Sequence, residues 1–179
     1  MKRIIFKTNS QKIIEYLIKK PGYKFLSKEI QVATRISKAG ANFALLDLVK
    51  TGLIKREKKG NIYLYTIDDE HPVIKQLKVL QNVINLTPLI TKMKHKTNKI
   101  ILFGSTSRGE NTEESDIDLF VVTNQVEEVE RLIEKKSYKG KIQLITRTPL
   151  QYIEMEKTDP HFYQQVERGI ILWEGKNEP

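Results

Sequence analysis

The sequence contains no cysteine among its 179 residues. Disulfide bonds, zinc sites with thiolate ligands and cysteine nucleophiles are therefore excluded. No apolar run approaches the roughly 20 residues that a membrane-spanning helix needs, and the N-terminus lacks the apolar core and cleavage site of a secretory signal. These absences predict a soluble, cytoplasmic protein with no membrane partner.

Acidic residues are scarce in the first part of the chain. Residues 1–70 hold 15 Lys and Arg against 7 Asp and Glu, whereas residues 71–179 hold 16 against 15. This asymmetry indicates a basic segment that meets a polyanion and a nearly neutral segment with another role. On charge alone the alternative stays open that the lysines only solvate the surface of a protein from a Lys-rich proteome.

Three helix patterns and then a hairpin pattern occupy the N-terminal region. Ser10, Ser27 and Ser37 can each cap a helix, and Pro21-Gly22 and Gly52 are stop signals. Two alternating segments joined at Gly60-Asn61 predict a β-hairpin with a basic tip. The residues expected to face the core are Ile30 with Val32 or Ala33 in the second helix, and Phe43, Leu45, Leu46, Leu48 and Val49 in the third.

This order resembles a winged helix-turn-helix over roughly residues 10–68. The resemblance implies that the third helix enters the major groove of double-stranded DNA and that the hairpin, the wing, contacts phosphates. The implied base contacts are Ser37, Lys38 and Asn42, with Thr34 and Arg35 in the preceding turn, and the implied phosphate contacts are Lys55, Arg56, Lys58, Lys59 and Asn61. Protein docking is the alternative role, and the basic wing favours DNA.

Residues 71–98 are expected to form a linker helix. Asp69 or Glu70 followed by Pro72 is a helix start signal, and apolar residues continue at helical spacing as far as Leu86. Pro88 is expected to break or restart this helix, because proline lacks the backbone N–H that an interior position requires.

A short apolar run at residues 99–103, KIILF, ends abruptly at Gly104-Ser105. This pattern predicts a buried strand that enters a tight turn, followed by a short helix through Arg108 that Gly109 terminates. A strand, a Gly-Ser turn and a helix start together present backbone N–H groups and a hydroxyl to one point, as phosphate sites do. Alone, the Gly-Ser pair would indicate only an ordinary turn.

The acidic pair Asp116 and Asp118 strengthens the case for a site. Because side chains alternate along a strand, both carboxylates are expected on one side, with Ile117, Leu119 and Val121 in the core. Two carboxylates so close repel each other unless a cation lies between them. Oxygen ligands of this kind favour Mg²⁺ or Mn²⁺, which bind substrate phosphates in turn.

Together, Gly104-Ser105-Thr106-Ser107-Arg108-Gly109 and Ser115-Asp116-Ile117-Asp118-Leu119 resemble the motifs of minimal nucleotidyltransferases of the DNA polymerase β-like superfamily. The resemblance covers about residues 99–174. It implies an NTP substrate, with ATP as first candidate, bound by Gly104, Ser105, Arg108 and Ser115, and catalytic metal ligation by Asp116 and Asp118. It also implies a third carboxylate on the strand KIQLIT, where this chain has Gln143.

The expected fold class is α+β, with a winged helix-turn-helix at 1–70, a linker helix at 71–98 and a small mixed-sheet nucleotidyltransferase domain at 99–179. Two functions remain open: a Mg²⁺-dependent transferase acting on an unidentified acceptor, or a DNA-binding regulator whose transferase domain is impaired or senses nucleotides. Some members of the resembled family act with a helical partner in toxin–antitoxin pairs, which makes a small helical protein a candidate partner. A homodimer is a further candidate, since winged helices often read paired half-sites.

Overall fold

The computed structural model describes residues 7–134 and 141–175, and residues 1–6 of the predicted first domain lie outside this range. The chain divides into two compact units, Met1–Gln81 and Asn82–Pro179. Within the described ranges, no helix has the length and apolar character needed to cross a membrane.

Among its described residues before Pro72, the first unit combines three helices with a small antiparallel sheet in the order β1-β3-β2. Its elements are α1 (Asn9–Leu17), β1 (Phe25–Leu26), α2 (Ser27–Thr34), α3 (Lys38–Lys50), β2 (Ile54–Lys59) and β3 (Ile62–Ile67). The predicted helices and hairpin are present, and β1 is an edge strand that the sequence did not predict. Ser37 caps α3 as predicted, whereas Thr8 rather than Ser10 caps α1.

Burial in α2 and α3 differs from the prediction. Leu45 and Leu48 are buried, but Phe43 is 75% exposed and Leu46 43% exposed. The buried residues of α3 repeat at helical spacing (positions 41, 44, 45 and 48), which places positions 43 and 46 on the opposite side. In α2, Ile30 is buried but Val32 and Ala33 are exposed. A nearly continuous apolar run does not by itself show which side of a helix faces the core.

Helix α4 (Pro72–Met93) begins in the first unit and ends in the second, with Pro88 in its interior. The predicted break at Pro88 is therefore wrong. An interior proline costs about 3 kcal/mol, but Leu86, Leu89 and Met93 are almost fully buried, and burying each such side chain contributes roughly 1.5–3 kcal/mol. Packing of the last helical turns thus outweighs the proline.

The second unit is built on a four-stranded mixed sheet in the order β6-β5-β4-β7. Its strands are β4 (Lys99–Phe103), β5 (Ile117–Val122), β6 (Ile142–Arg147) and β7 (Ile170–Glu174), and its helices after α4 are α5 (Gly104–Arg108), α6 (Val126–Glu134), α7 (Pro149–Thr158) and α8 (Pro160–Glu167). Strand β4 is antiparallel to β5 and β7, and β5 is parallel to β6. The two strands predicted around the acidic motif are confirmed.

Alternation along β5 divides the core of this unit between the two faces of the sheet. Leu119 and Val121 pack in a cluster with residues of α4 and α6. Phe120 and Val122 pack in a second cluster with residues of α7 and α8. Asp118 alternates in step with Phe120, so its side chain lies on the α7 and α8 face, at the end of the strand nearest α5.

Candidate nucleotide and metal site

The centre of the candidate site is a close contact between Gly104 and Asp118. Gly104 follows the last residue of β4, Phe103, which pairs with Asp118 across the sheet. The φ angle of Gly104 is +69°, and a Cβ added there would lie 2.1 Å from Asp118 Oδ2. The carboxylate of Asp118 therefore occupies the space that any other residue at position 104 would fill with its side chain.

Asp116 and Asp118 form a pair with excess negative charge. Burial raises the pKa of Asp118 above its usual value, and the neighbouring Asp116 charge raises it further. Asp116 is exposed and lies directly before β5, and the Thr106 hydroxyl of α5 donates a hydrogen bond to its backbone oxygen at 3.1 Å. Helix α5 thus fixes the backbone that carries the first aspartate.

Gln143 lies beside Asp118 on the neighbouring strand. The two residues are partners in the parallel register of β5 and β6, so their side chains project from the same face of the sheet. Gln143 is exposed and supplies an amide oxygen in place of a carboxylate. Among the described residues, no group of three or more His, Asp and Glu side chains is arranged to hold a metal ion.

The predicted phosphate-binding residues differ in whether their side chains already form hydrogen bonds or ion pairs with neighbouring residues. In the part of the chain that the structure describes, the Ser105 hydroxyl has no hydrogen-bond partner. Arg108 is exposed, and its Nε donates to Glu110 at 2.7 Å. The Ser115 hydroxyl accepts from Thr112 N at 2.9 Å and so stabilises the loop before the aspartates.

A cavity of about 550 Å³ opens beside Gly104 and has two sides. Residues of the first side are predicted from the sequence, and those of the second side are not. One side comes from α5, through Gly104, Ser107 and Arg108. The other, called the α8 wall below, comes from the end of the chain and consists of His161, Gln164, Gln165 and Arg168. The spacing i, i+3, i+4, i+7 marks these residues as one helix face, but only the fold places that face beside Gly104.

The predicted DNA contacts of the first unit lie on its surface. Ser37, Lys38 and Asn42 are exposed at the start of α3, where Asn42 Oδ1 accepts from the Ser27 hydroxyl at 3.3 Å. Thr34, predicted in the preceding turn, is the last residue of α2, and its hydroxyl donates to the Ile30 carbonyl oxygen. Arg35, which follows it, has a left-handed backbone with φ 55°.

The basic residues of the hairpin are exposed, but two of them have local partners. Lys55 pairs with Asp68 at 2.8 Å, and the Arg56 guanidinium lies 4.6 Å from the ring centre of Tyr63. Lys58 and Lys59 have no ion-pair partner within residues 7–134 and 141–175. Among the described hairpin lysines, those without an ion-pair partner therefore lie nearest the tip, beside Asn61.

Comparison with known proteins shows the family of the second unit. A sequence model of the nucleotidyltransferase domain matches residues 87–172. A protein of Methanocaldococcus jannaschii named "Putative protein adenylyltransferase" is 32% identical over 105 residues, which cover 55% of this chain and 98% of that protein. The chain belongs to the nucleotidyltransferase domain family. The matched part of this nucleotidyltransferase contains the Gly104 turn, both aspartates, Gln143 and the α8 wall.

The chain also shows partial similarity to a solved structure. It is a crystal structure of a "putative nucleotidyltransferase" from Sulfolobus solfataricus, with 20% sequence identity and a TM-score of 0.34, covering 59% of this chain and 89% of that one. The residues before position 87, and with them the first unit, lie outside the family match.

Proposed function

We propose that the second unit is a Mg²⁺-dependent nucleotidyltransferase that moves a nucleotide from an NTP to an acceptor hydroxyl. The acceptor hydroxyl gives up its proton to a base or to solvent water, and its oxygen forms a bond to the α-phosphorus. The bond from that phosphorus to the β-phosphate oxygen breaks, and pyrophosphate leaves. The observation that carries the proposal is the contact of the Asp118 carboxylate with Gly104, which brings a metal ligand against the backbone of a phosphate-binding turn.

The donor set fits a hard divalent cation. Asp116 and Asp118 supply carboxylate oxygens. Burial and, to a smaller extent, the Asp116 charge raise the pKa of Asp118, and a cation between the two carboxylates would relieve both effects. Bound Mg²⁺, or Mn²⁺, would neutralise developing charge on the phosphates. The Ser105 hydroxyl and the free N–H groups of Arg108 are donors for phosphate oxygens, and Ser115 holds the loop that presents Asp116.

Gln143 limits the rate that this site can reach. A neutral amide can contribute an oxygen ligand, but it cannot accept a proton from the attacking hydroxyl. Slow transfer follows if no other base takes its place. The alternative function is a nucleotide sensor that binds Mg²⁺ and NTP without turnover and controls the first unit.

The acceptor we propose is a hydroxyl of a protein, with ATP as donor. Support comes from the name of the Methanocaldococcus relative, a protein adenylyltransferase. A small helical partner protein is the candidate acceptor. The activity of the whole chain then depends on how that partner presents its hydroxyl to the metal pair.

We propose further that the first unit is a winged helix-turn-helix that binds double-stranded DNA. Helices α2 and α3 followed by the β2–β3 hairpin have the order of that motif. Exposed Lys38 at the start of α3 is a candidate base contact, and exposed Lys58 and Lys59 can contact phosphates. Exposed Phe43 lies one residue after Asn42, where an apolar side chain can contact thymine methyl groups. The competing role is protein docking, for which exposed Phe43 and Leu46 would be the contact residues.

Labelling with α-labelled ATP tests the transferase proposal. The protein is incubated with Mg²⁺, labelled ATP and a cell extract, and label is expected on a protein acceptor. Asp116→Ala and Asp118→Ala should each abolish the transfer and weaken Mg·ATP binding at least tenfold. Glu130→Gln, which changes an exposed carboxylate of α6, is the matched control and should leave both unchanged.

Two results would contradict the proposal. Unchanged Mg·ATP affinity in both aspartate variants would mean that the metal site lies elsewhere. Tight Mg·ATP binding by the wild-type protein, without transfer to any acceptor, would favour the nucleotide sensor instead.

A further inference from the structure

One side of helix α8 packs against the sheet, and the opposite side carries the residues of the α8 wall. Val166 is fully buried, and Phe162 and Tyr163 pack in the same cluster. The ring of Phe162 lies 5.9 Å from that of Phe103, the residue before Gly104. This packing holds the α8 wall at the cavity beside the phosphate-binding turn, because the two helix faces are rigidly related.

Between α8 and β7 the chain approaches β4 so closely that there is no room for a side chain at Gly169. A Cβ there would lie 2.6 Å from the Leu102 carbonyl oxygen and 2.7 Å from Ile101 Cγ2. Arg168, the residue before it, ends the helix and lines the cavity. The backbone that carries Arg168 is thus held tightly, although its side chain is exposed.

The chemistry of the α8 wall is that of an anion site. No acidic residue is among the described residues that line the cavity, whose two guanidinium groups belong to Arg108 and Arg168. Arg108 is paired with Glu110. The four wall side chains form no hydrogen bond or ion pair with any residue in the described ranges. With respect to the described residues, Arg168 is therefore a cation without an ion-pair partner, and its N–H donors are available.

We propose that the α8 wall binds the β- and γ-phosphates of the nucleotide, with Arg168 as their main contact. The inference rests on the proposed function, because the metal pair and this cavity share Gly104. A guanidinium group binds phosphate oxygens in a bidentate manner, and the amides of Gln164 and Gln165 add neutral donors. The Asp116 and Asp118 side of Gly104 is left for the metal and the α-phosphate.

Phosphates suit this wall better than the base does. A nucleobase is usually held between apolar or aromatic side chains, and the described lining residues contain neither, apart from the imidazole of His161. Pyrophosphate leaving the reaction carries more charge than it had as part of the NTP. A cation that contacts the β- and γ-phosphates would therefore stabilise the departing group.

Calorimetry on the full chain tests this inference with two sets of probes. The first is inorganic tripolyphosphate without metal, and the second is AMP, ADP and ATP with Mg²⁺. Arg168→Ala should weaken tripolyphosphate and ATP binding about tenfold to a hundredfold, the effect of losing hydrogen bonds to a charged group, and leave AMP affinity nearly unchanged. Arg168→Lys should restore part of the loss, since it keeps the charge without the planar fork.

Arg131→Ala is the matched control, because Arg131 is an exposed arginine of α6 outside the cavity. Equal loss for AMP and ATP in Arg168→Ala would assign Arg168 to the nucleoside and overturn the inference, as would unchanged tripolyphosphate affinity. Asp118→Asn separates this inference from the proposed function. That variant should lose Mg·ATP binding but keep tripolyphosphate binding, whereas a wild-type protein that binds tripolyphosphate but no Mg·ATP would contradict the proposed function alone.

Discussion

The Cα of Gly104 cannot carry a side chain unless the Asp118 carboxylate moves. Gly104→Ala adds a Cβ 2.1 Å from Asp118 Oδ2 at a φ of +69°. The left-handed backbone costs about 1–2 kcal/mol and the steric overlap roughly 1–3 kcal/mol more. We expect lower unfolding free energy and at least tenfold weaker Mg·ATP binding, measured by denaturant titration and calorimetry.

Gly52→Ala is a matched control for the backbone contribution. Gly52 has a φ of +76°, and no atom of the described residues lies within 4 Å of an added Cβ. Gly52→Ala should lower the unfolding free energy only by the conformational cost, about 1–2 kcal/mol, and should keep full nucleotide affinity. Equal losses of nucleotide affinity in the two variants would show that the contact with Asp118 does not shape the site.

Gln143 is the residue whose exchange should increase activity. Gln143→Glu places a carboxylate in register with Asp118 on the neighbouring strand. A general base contributes roughly 10²–10⁴ to a rate, so we expect transfer to rise at least about tenfold in the labelling assay. Gln143→Asn, which keeps a neutral amide, should not gain activity. A Glu variant that binds Mg·ATP as tightly as wild type yet gains nothing would mean that position 143 does not face the reacting groups.

Without metal, Asp118 is expected to lower the stability of the folded protein, although it is a proposed metal ligand. Its pKa is raised in the folded protein by burial and by Asp116, so its favourable contribution to folding is present at low pH and lost as pH rises through that raised pKa. Without metal, Asp118→Asn should therefore increase the unfolding free energy at pH 7 by about 0.5–2 kcal/mol. The gain should shrink as pH falls towards 3.8, the usual pKa of the group. A gain that is constant with pH would contradict the electrostatic cause.

The β2–β3 hairpin is the element on which the DNA proposal depends most. Lys58 and Lys59 lack ion-pair partners among the described residues, whereas Lys55 is paired with Asp68. Lys58→Gln with Lys59→Gln should weaken duplex binding and reduce the slope of log K against log salt by about 1.8, or 0.9 for each phosphate contact. Lys55→Gln should have a smaller effect.

The control for the hairpin variant is Lys92→Gln with Lys157→Gln, which neutralises two exposed lysines of the second unit. Fluorescence anisotropy with labelled duplex at several salt concentrations measures each slope. An equal loss in the control would indicate attraction by net charge rather than by the hairpin. Concurrent loss of Mg·ATP binding in the hairpin variant would indicate one shared polyanion site.

Some helices and strands follow from local sequence signals, whereas other features depend on packing between distant residues. Strands β4 and β5 and the turn between β4 and α5 could be predicted, because short apolar runs, Gly104 and Gly109 are local signals. The exposure of Phe43 could not be predicted, because helix α3 has apolar residues on more than one side. The continuation of α4 through Pro88 could not be predicted either, because it depends on packing. The α8 wall has a visible spacing in the sequence, but a solvated helix face has the same spacing.

For the whole molecule, a single tryptophan allows one unit to be observed separately. Trp173 is the chain's one tryptophan, lies in β7 and packs in the core of the second unit. Mg·ATP at 100 times its dissociation constant should stabilise that unit by about 2.7 kcal/mol and raise the midpoint of unfolding followed by Trp173 fluorescence. Duplex DNA should raise a transition followed by far-ultraviolet circular dichroism and leave the fluorescence midpoint in place. The reverse assignment of the two ligands would contradict the division of roles between the units.

The contact between Gly104 and Asp118 has an evolutionary consequence. As long as the carboxylate occupies the space beside position 104, selection must keep glycine there, whereas a smaller residue can replace Asp118 while Gly104 stays. In a descendant in which the proposed metal site has lost its use, a smaller residue at position 118 would remove the steric part of this constraint, and only the left-handed backbone would still favour glycine. The two changes are therefore expected in a fixed order, position 118 before position 104.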